Sequence, residues 1–337
     1  MSNIRSSREK RTCTYQLMSI APNVAFRRRI YYFHKFENAL FQISWSKFME
    51  NSTYKEVQKV KGFFGIFDVL GYSKMIELND LDSLIGIYKK TIGVLDDKVL
   101  CLGDLDKSLL ATLKGPKSFG FSDTIVLYQD PSNMPNGPIE NSTSVFFLGK
   151  VCHLLRQAFE LGIPVRGAVS YGEYYIQEDK GCFIGYPIIE AHNEESKQNW
   201  SGATLCKSAW DKLYASHNES MEMQGEWRGL YLNGLFSPLN NPLWAKYNIP
   251  YESSSTEGFA LCWHDAVLDF MRLDNPSRFN LYNSENIGQF VREKFEAHGK
   301  TVDSNDDKTK MKIENTANFL GTMQTRYRLG LTDILRS

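Results

Sequence analysis

Two acidic residues 55 positions apart, Asp68 and Asp123, carry the chemistry for which this chain is best equipped. Asp68 lies in the run Phe63-Phe-Gly-Ile-Phe-Asp-Val-Leu70, where the other seven residues are apolar or glycine. A carboxylate in such a run is costly unless it is paired or binds a cation. Gly71 then breaks the run, and Tyr72 and Ser73 open a helical pattern. The backbone N–H groups of Leu70 to Ser73 are thereby offered to phosphate oxygens. Asp123 stands between two β-prone runs in Lys117-Ser-Phe-Gly-Phe-Ser-Asp-Thr-Ile-Val-Leu-Tyr128. Together the residues suggest a divalent cation on carboxylates beside a phosphate subsite. The plainer alternatives are a strand-end Asp68 that caps the next helix and an Asp123 that only forms a turn. The functional reading rests on the pair.

The elements that must position this pair follow from the pattern. The apolar run through Leu70 reads as a strand buried on both faces. Apolar residues at 81, 84, 85, 88, 92 and 95 have helical spacing, with Asn79 or Asp80 as a cap or a break. Residues 117–128 read as a β-hairpin turning near Ser122 to Thr124. If its strands neighbour the first strand, the two carboxylates converge. Leu105 to Leu113 is a weaker helical segment, and Pro131 to Asn141 is a loop. A second amphipathic helix includes Val145 to Phe159 and ends at Gly162-Ile-Pro164. Val165 to Ser170 predicts a strand, with a turn at Gly172 and a return strand through Ile176. Pro187 suits the first turn of a helix that runs to Ser196. Gly202 to Cys206 is a further strand, and Ser208 is positioned to cap a short helix. Two βαβ units around an antiparallel hairpin make a ferredoxin-like α+β core. Beyond residue 217, Ala260 to Trp263 reads as a strand, and helices are predicted near Glu285–Glu296 and Lys308–Arg326.

Composition narrows the classes. The chain has 337 residues, with 39 basic and 39 acidic side chains, so its charge gives no nucleic-acid footprint. At 42% hydrophobic residues it is globular. No stretch approaches the ~18 apolar residues of a membrane span. Six cysteines without a CxxC pair suit reduced thiols and a cytoplasmic location. Residues 1–58 begin with a basic segment, expected to be a poorly ordered extension, with Met18 or Met49 as alternative starts. Residues 59–216 are the predicted catalytic domain, and 217–337 a C-terminal α/β extension that packs on the core or at a dimer interface.

Four segments taken together resemble class III nucleotidyl cyclases. Phe67-Asp-Val-Leu-Gly-Tyr-Ser73 is similar to their first metal motif, and Gly120-Phe-Ser-Asp-Thr124 to their second. Arg166-Gly-Ala-Val-Ser-Tyr-Gly172 resembles their Arg-x-Gly-x-x-x-Gly strand, with Ala168 at the middle glycine. Phe183-Ile-Gly-Tyr-Pro-Ile-Ile-Glu-Ala191 resembles the segment before their last catalytic helix. The resemblance covers about residues 60–210.

It implies two Mg²⁺ or Mn²⁺ ions on Asp68, Asp123 and the Val69 carbonyl. It also implies a nucleoside triphosphate held near Phe67, Leu70, Gly71, Tyr72 and Ser73, and a homodimer with the site between chains. Phe119 and Cys182 occupy the places where adenylate cyclases carry an adenine-reading Lys and Asp. Ile189 and Asn193 occupy the places of the Asn and Arg that serve the transition state. Arg166, His192, Asn193 and Lys197 are the nearest substitutes. The bulky Phe119, the Ser-Asp form of the second motif and the large tail resemble the bacterial pyrimidine cyclases of the Pycsar antiphage system. The resemblance therefore implies cyclic UMP or cyclic CMP made from UTP or CTP and sensed by a separate effector protein. The alternatives are a purine cyclase and a degenerate nucleotide-binding or dimerisation module.

Overall fold

The structure is a computed structural model that describes residues 57–96, 116–129, 139–221, 243–264, 286–300, 302 and 306–334. They fall within one compact unit, Val57–Ser337. The basic N-terminal segment, the alternative starts, Leu105 to Leu113 and most of the 131–141 loop lie outside the described residues.

Strand β1 (Gln58–Val69) is the centre of the sheet. Its side chains alternate between two cores, as a strand's period of two requires. Phe63 and Phe67 enter one core with α3 (Ile139–Glu160), while Phe64 and Ile66 enter the other. Both faces are covered, and this is why the segment is continuously apolar. After β1 come α1 (Tyr72–Leu78) and α2 (Leu81–Asp96). The break between them falls at Asn79, and Asp80 caps α2 by accepting from the Ser83 N–H at 2.8 Å.

The hairpin β2 (Lys117–Phe121) and β3 (Thr124–Tyr128) pairs antiparallel with β1 through β3. On the other side of β1 runs β4 (Val165–Gln177), also antiparallel. The sheet order β2-β3-β1-β4 with α3 crossing between β3 and β4 is the ferredoxin-like α+β arrangement. The chain does not turn at Gly172. β4 continues to Gln177 because it pairs with β1 over that strand's whole length, Gly172 opposite Gly62. The return strand is β5 (Cys182–Gly185), reached through Gly181 at φ 56.

The other core is closed by α4 (Tyr186–Lys197), through Ile188 and Ala191. β6 (Gly202–Leu205) then pairs parallel with β4, and α5 (Lys207–Met221) follows. Ser208 does not act as a helix cap: its hydroxyl bonds the Glu190 carboxylate and accepts from the Tyr171 N–H.

The C-terminal segment extends this sheet. β7 (Trp244–Pro250) and β8 (Ser255–Leu261) form a hairpin whose β8 pairs with β6. Helices α6 (Ile287–Phe295) and α7 (Asp307–Ile334) follow. Phe319 of α7 packs edge-on against Trp200 at 4.6 Å and against Tyr247 at 5.1 Å. Among the described residues, no helix is long and apolar enough to cross a membrane.

Candidate active site

The C-terminal end of β1 opens into a cleft of about 300 Å³. Asp68 and Asp123 both line it, with Val69, Leu70, Gly71, Tyr72 and Ser73. Local register explains the meeting. Asp68 lies between Thr124 of β3 and Arg166 of β4. The hairpin turn places Ser122 at φ 58, a left-handed conformation that costs a non-glycine residue energy. The Asp123 carbonyl then accepts from the Val69 N–H at 2.9 Å, which fixes the turn against the end of β1. Gly71, at φ 73, lets the chain leave β1 and enter α1.

Arg166 is held from three sides. Its guanidinium meets Asp68 Oδ2 at 3.3 Å and Glu195 Oε1 at 2.7 Å, and it donates to the Gln198 carbonyl at 3.0 Å. The side chain is 15% exposed, so these are partly desolvated contacts. Asp68 thus faces a cation across the strand pair. Such a pair is strongest when both partners are hydrogen-bonded and dry.

The remaining predicted site residues lie elsewhere. Phe67 is fully buried, its ring seated over Gly167, where a Cβ would come within 2.1 Å of it. Phe119 packs at a tilt against Phe183, ring centroids 5.8 Å apart, and covers Gly181, beside the exposed Cys182. Asn193 is exposed on α4. His192 lies 3.8 Å from Glu195, and Lys197 lies 4.0 Å from Glu194. None of Phe67, Phe119, Cys182, Asn193, His192 or Lys197 lines the cleft.

The opposite wall comes from the C-terminal segment: Phe295, Lys300, Val302, Asp306, Thr309 and Lys312. The sequence reading gave these residues no role. One signal was present. Lys312 is four residues before the buried Thr316 and seven before the buried Phe319, so it shares the inward stripe of α7. Contacts across the molecule fix this wall. Lys294, His298 and Lys300 bond the carbonyls of Glu160, Leu161 and Gly162 at 2.9, 2.6 and 3.1 Å. The Lys294 and Lys300 ammoniums at the end of α3 suit its dipole. Burial pulls the Lys300 ammonium down to about 8. Burial and the nearby Arg166 also lower the pKa of Lys312. Asp306 caps α7 by accepting from the Thr309 N–H at 3.1 Å and hydroxyl at 2.6 Å, and these bonds hold its carboxyl below 3.8.

The donor set suits a hard divalent cation. Two carboxylates and backbone carbonyls offer oxygen, and water or phosphate can complete the sphere in the manner of Mg²⁺. Among the described residues, no three His, Cys, Asp or Glu side chains cluster to form an all-protein cage.

No protein-family model and no curated protein matches the chain. Solved structures similar to it include the catalytic core of a rhodopsin-guanylyl cyclase with converted specificity in complex with ATPαS. That pair shares 8% identity over 61% of this chain and 98% of that chain, with a TM-score of 0.38. The guanylyl cyclase Cya2 shares 9% identity over 60% and 91% of the two chains, with a TM-score of 0.37. The guanylate cyclase domain of RhGC from Catenaria anguillulae, in complex with GTP, shares 8% identity over 60% and 97%, with a TM-score of 0.34. At these scores the similarities assign neither substrate nor activity to this chain.

Proposed function

We propose that the chain is a nucleotidyl cyclase that converts a pyrimidine nucleoside triphosphate, UTP before CTP, into its 3′,5′-cyclic monophosphate and pyrophosphate. The observation that carries this reading is the convergence of Asp68, at the end of β1, and Asp123, in the β2–β3 turn, on one open cleft whose other wall carries Lys300 and Lys312. Asp68, Asp123 and the Val69 carbonyl are the groups that would hold two Mg²⁺ or Mn²⁺ ions. When bound, these ions supply acidity at the ribose 3′-hydroxyl and neutralise phosphate charge. The chain's own residues bind and orient. The turn at Gly71 to Ser73 and the lysines of the far wall face the polyphosphate, whereas the Leu70 N–H, expected to do so, donates to the Pro164 carbonyl at 2.9 Å. Arg166, held by Glu195 and Gln198, keeps a positive charge beside Asp68. The ribose 3′-oxygen attacks the α-phosphorus in line with the departing pyrophosphate.

Phe119 and Cys182 lie outside this chain's cleft, so base reading requires a second copy, with the base-reading face of one chain set over the cleft of the other. Phe119, packed with Phe183 on Gly181, puts an aromatic wall where a purine would need room. This favours the smaller pyrimidine ring. In this reading the product is a second messenger for antiphage defence, received by a separate effector protein.

The Asp68–Arg166 contact favours a second reading. If the guanidinium holds the carboxylate away from metal, the fold binds nucleotide or dimerises without turnover. Incubation with UTP, CTP, GTP and ATP and Mn²⁺, followed by separation of products, decides between the two. Cyclic UMP or cyclic CMP is expected. A cyclic purine product refutes the base assignment, and nucleotide binding by calorimetry without any cyclic product selects the binding module.

A further inference from the structure

The cleft's charge suits a polyanion. Lys74, Arg166, Lys300 and Lys312 line it against Asp68, Asp123 and Asp306. Two of the carboxylates are engaged, Asp68 with Arg166 and Asp306 with the cap of α7. Helix α1, which opens at the phosphate-facing turn, is seven residues long. So short a helix has little dipole to offer, and charge must come from side chains.

Lys312 is the cation that α7 brings to the cleft. It is partly buried, within reach of the fields of Arg166, Asp68, Asp306 and Glu252. Among the described residues its ammonium makes no hydrogen bond and no ion pair. Its backbone is nonetheless fixed. Thr316, one turn on, donates to the Lys312 carbonyl at 2.6 Å and accepts from the Ser201 N–H at 2.8 Å. Asn315 donates to the Asn199 carbonyl at 2.8 Å. A rigidly mounted lysine, partly desolvated beside a guanidinium, is kept at a cost that a bound anion would offset.

We propose that Lys312, with Lys300 beside it, binds the β- and γ-phosphates of the nucleoside triphosphate. The C-terminal segment thus supplies the polyphosphate subsite of the same chain that supplies the two metal-binding carboxylates. This rests on reading the cleft as a triphosphate site. Phosphate oxygens would complete the ammonium's hydrogen bonds.

The test uses inorganic tripolyphosphate, which needs neither base nor turnover. Its binding to the full chain is measured by calorimetry with and without Mn²⁺. Lys312→Gln is expected to weaken it about tenfold, or ~1.4 kcal/mol, with Lys312→Arg close to wild type. Lys308→Gln, an exposed change on the same helix, should leave it alone. Lys312→Met keeps the packed stem and serves if Gln disturbs the fold, judged by thermal melting. Wild-type affinity in both Lys312→Gln and Lys312→Met overturns the proposal. So does an equal loss in Lys308→Gln, and so does failure of the wild-type chain to bind tripolyphosphate under either condition. The cyclase reading fails separately: Lys312-dependent tripolyphosphate binding with no cyclic product leaves the subsite standing. Conversely, cyclic product made with an unchanged KM in Lys312→Gln removes the subsite and leaves the cyclase.

Discussion

The two walls of the cleft solve opposite electrostatic problems. On the sheet wall, one guanidinium, Arg166, is shared by two carboxylates, Asp68 and Glu195, across two strands and a helix, which leaves negative charge in excess. On the C-terminal wall, Lys300 meets only the neutral Gly162 carbonyl, and Lys312 makes no hydrogen bond among the described residues. The first wall keeps an excess of negative charge and the second an excess of positive charge. A metal must therefore compete with Arg166 for Asp68, whereas a phosphate gains from both lysines at once. On the proposed reading the cation belongs to the first wall and the polyanion to the second, and mutations can test each.

The largest effect is expected on the sheet wall. Asp68→Ala or Asp123→Ala should abolish cyclic product from UTP or CTP with Mn²⁺, a loss of several kcal/mol in transition-state stabilisation and roughly three orders of magnitude in rate. Circular dichroism should show the fold retained, since both carboxylates lie at the sheet's edge of the cleft. Undiminished turnover in either variant would refute the metal assignment. The far wall is broken at its anchor instead. Phe319 is fully buried against Trp200 and Tyr247. Phe319→Ala should cost about 3–5 kcal/mol in urea unfolding. If α7 were only loosely applied to the sheet, the loss would fall below ~1 kcal/mol.

How much of this was legible in the sequence differs between the walls for a physical reason. The sheet wall is written locally. The run from Phe63 to Leu70 is apolar because both its faces are covered, and Ser122-Asp123 lies between two β-prone runs. The 13-residue β4 was not readable as one strand, because Gly172 looks the same in a turn as opposite another glycine in a sheet. β7 contains Lys246 and Asn248 and, among the described residues, pairs only with β8. An edge strand carries little hydrophobic signal. The far wall depends on contacts such as Lys300 with Gly162, 138 residues apart, which no local pattern announces. Only the Lys312–Thr316–Phe319 stripe marked it.

Lys300 sharpens the comparison through pH. Its folded pKa is about 8, below the ordinary 10.5, because burial disfavours the charge. Below pH 8 the ammonium is charged in both states, and the folded chain carries the full penalty. Between about 8 and 10.5 the folded state has released the proton and the unfolded state has not. Stability therefore rises with pH across that window, by up to roughly 3 kcal/mol. Lys300→Met should lack this rise. Urea midpoints for both proteins at either end of the window measure it, and parallel curves would mean that Lys300 is better solvated than its burial suggests. Tripolyphosphate, by restoring the charge, should take up a proton when it binds near pH 8. Running the calorimetry in buffers of different ionisation enthalpy reads this directly, against a background set by Lys74, Arg166, Lys312, Asp68, Asp123 and Asp306 in the same cleft.

The smallest effect concerns Asp306, the carboxylate that the cationic wall carries. Its oxygens cap α7, so Asp306→Ala should cost about 1 kcal/mol. Asp306→Asn keeps an acceptor for the Thr309 N–H and removes the charge, so stability near neutral pH should change by less than ~0.5 kcal/mol. The sign of the acid dependence follows from the cap. A folded pKa below 3.8 gives stability that is present above that value and lost as pH falls through the lower one. That loss should vanish in Asp306→Asn. Removing a negative charge from beside Lys312 should also tighten tripolyphosphate binding two- to threefold, since a like charge no longer opposes the phosphates. Weaker binding in Asp306→Asn would instead make Asp306 a third metal-holding carboxylate, and the division of labour between the walls would have to be redrawn.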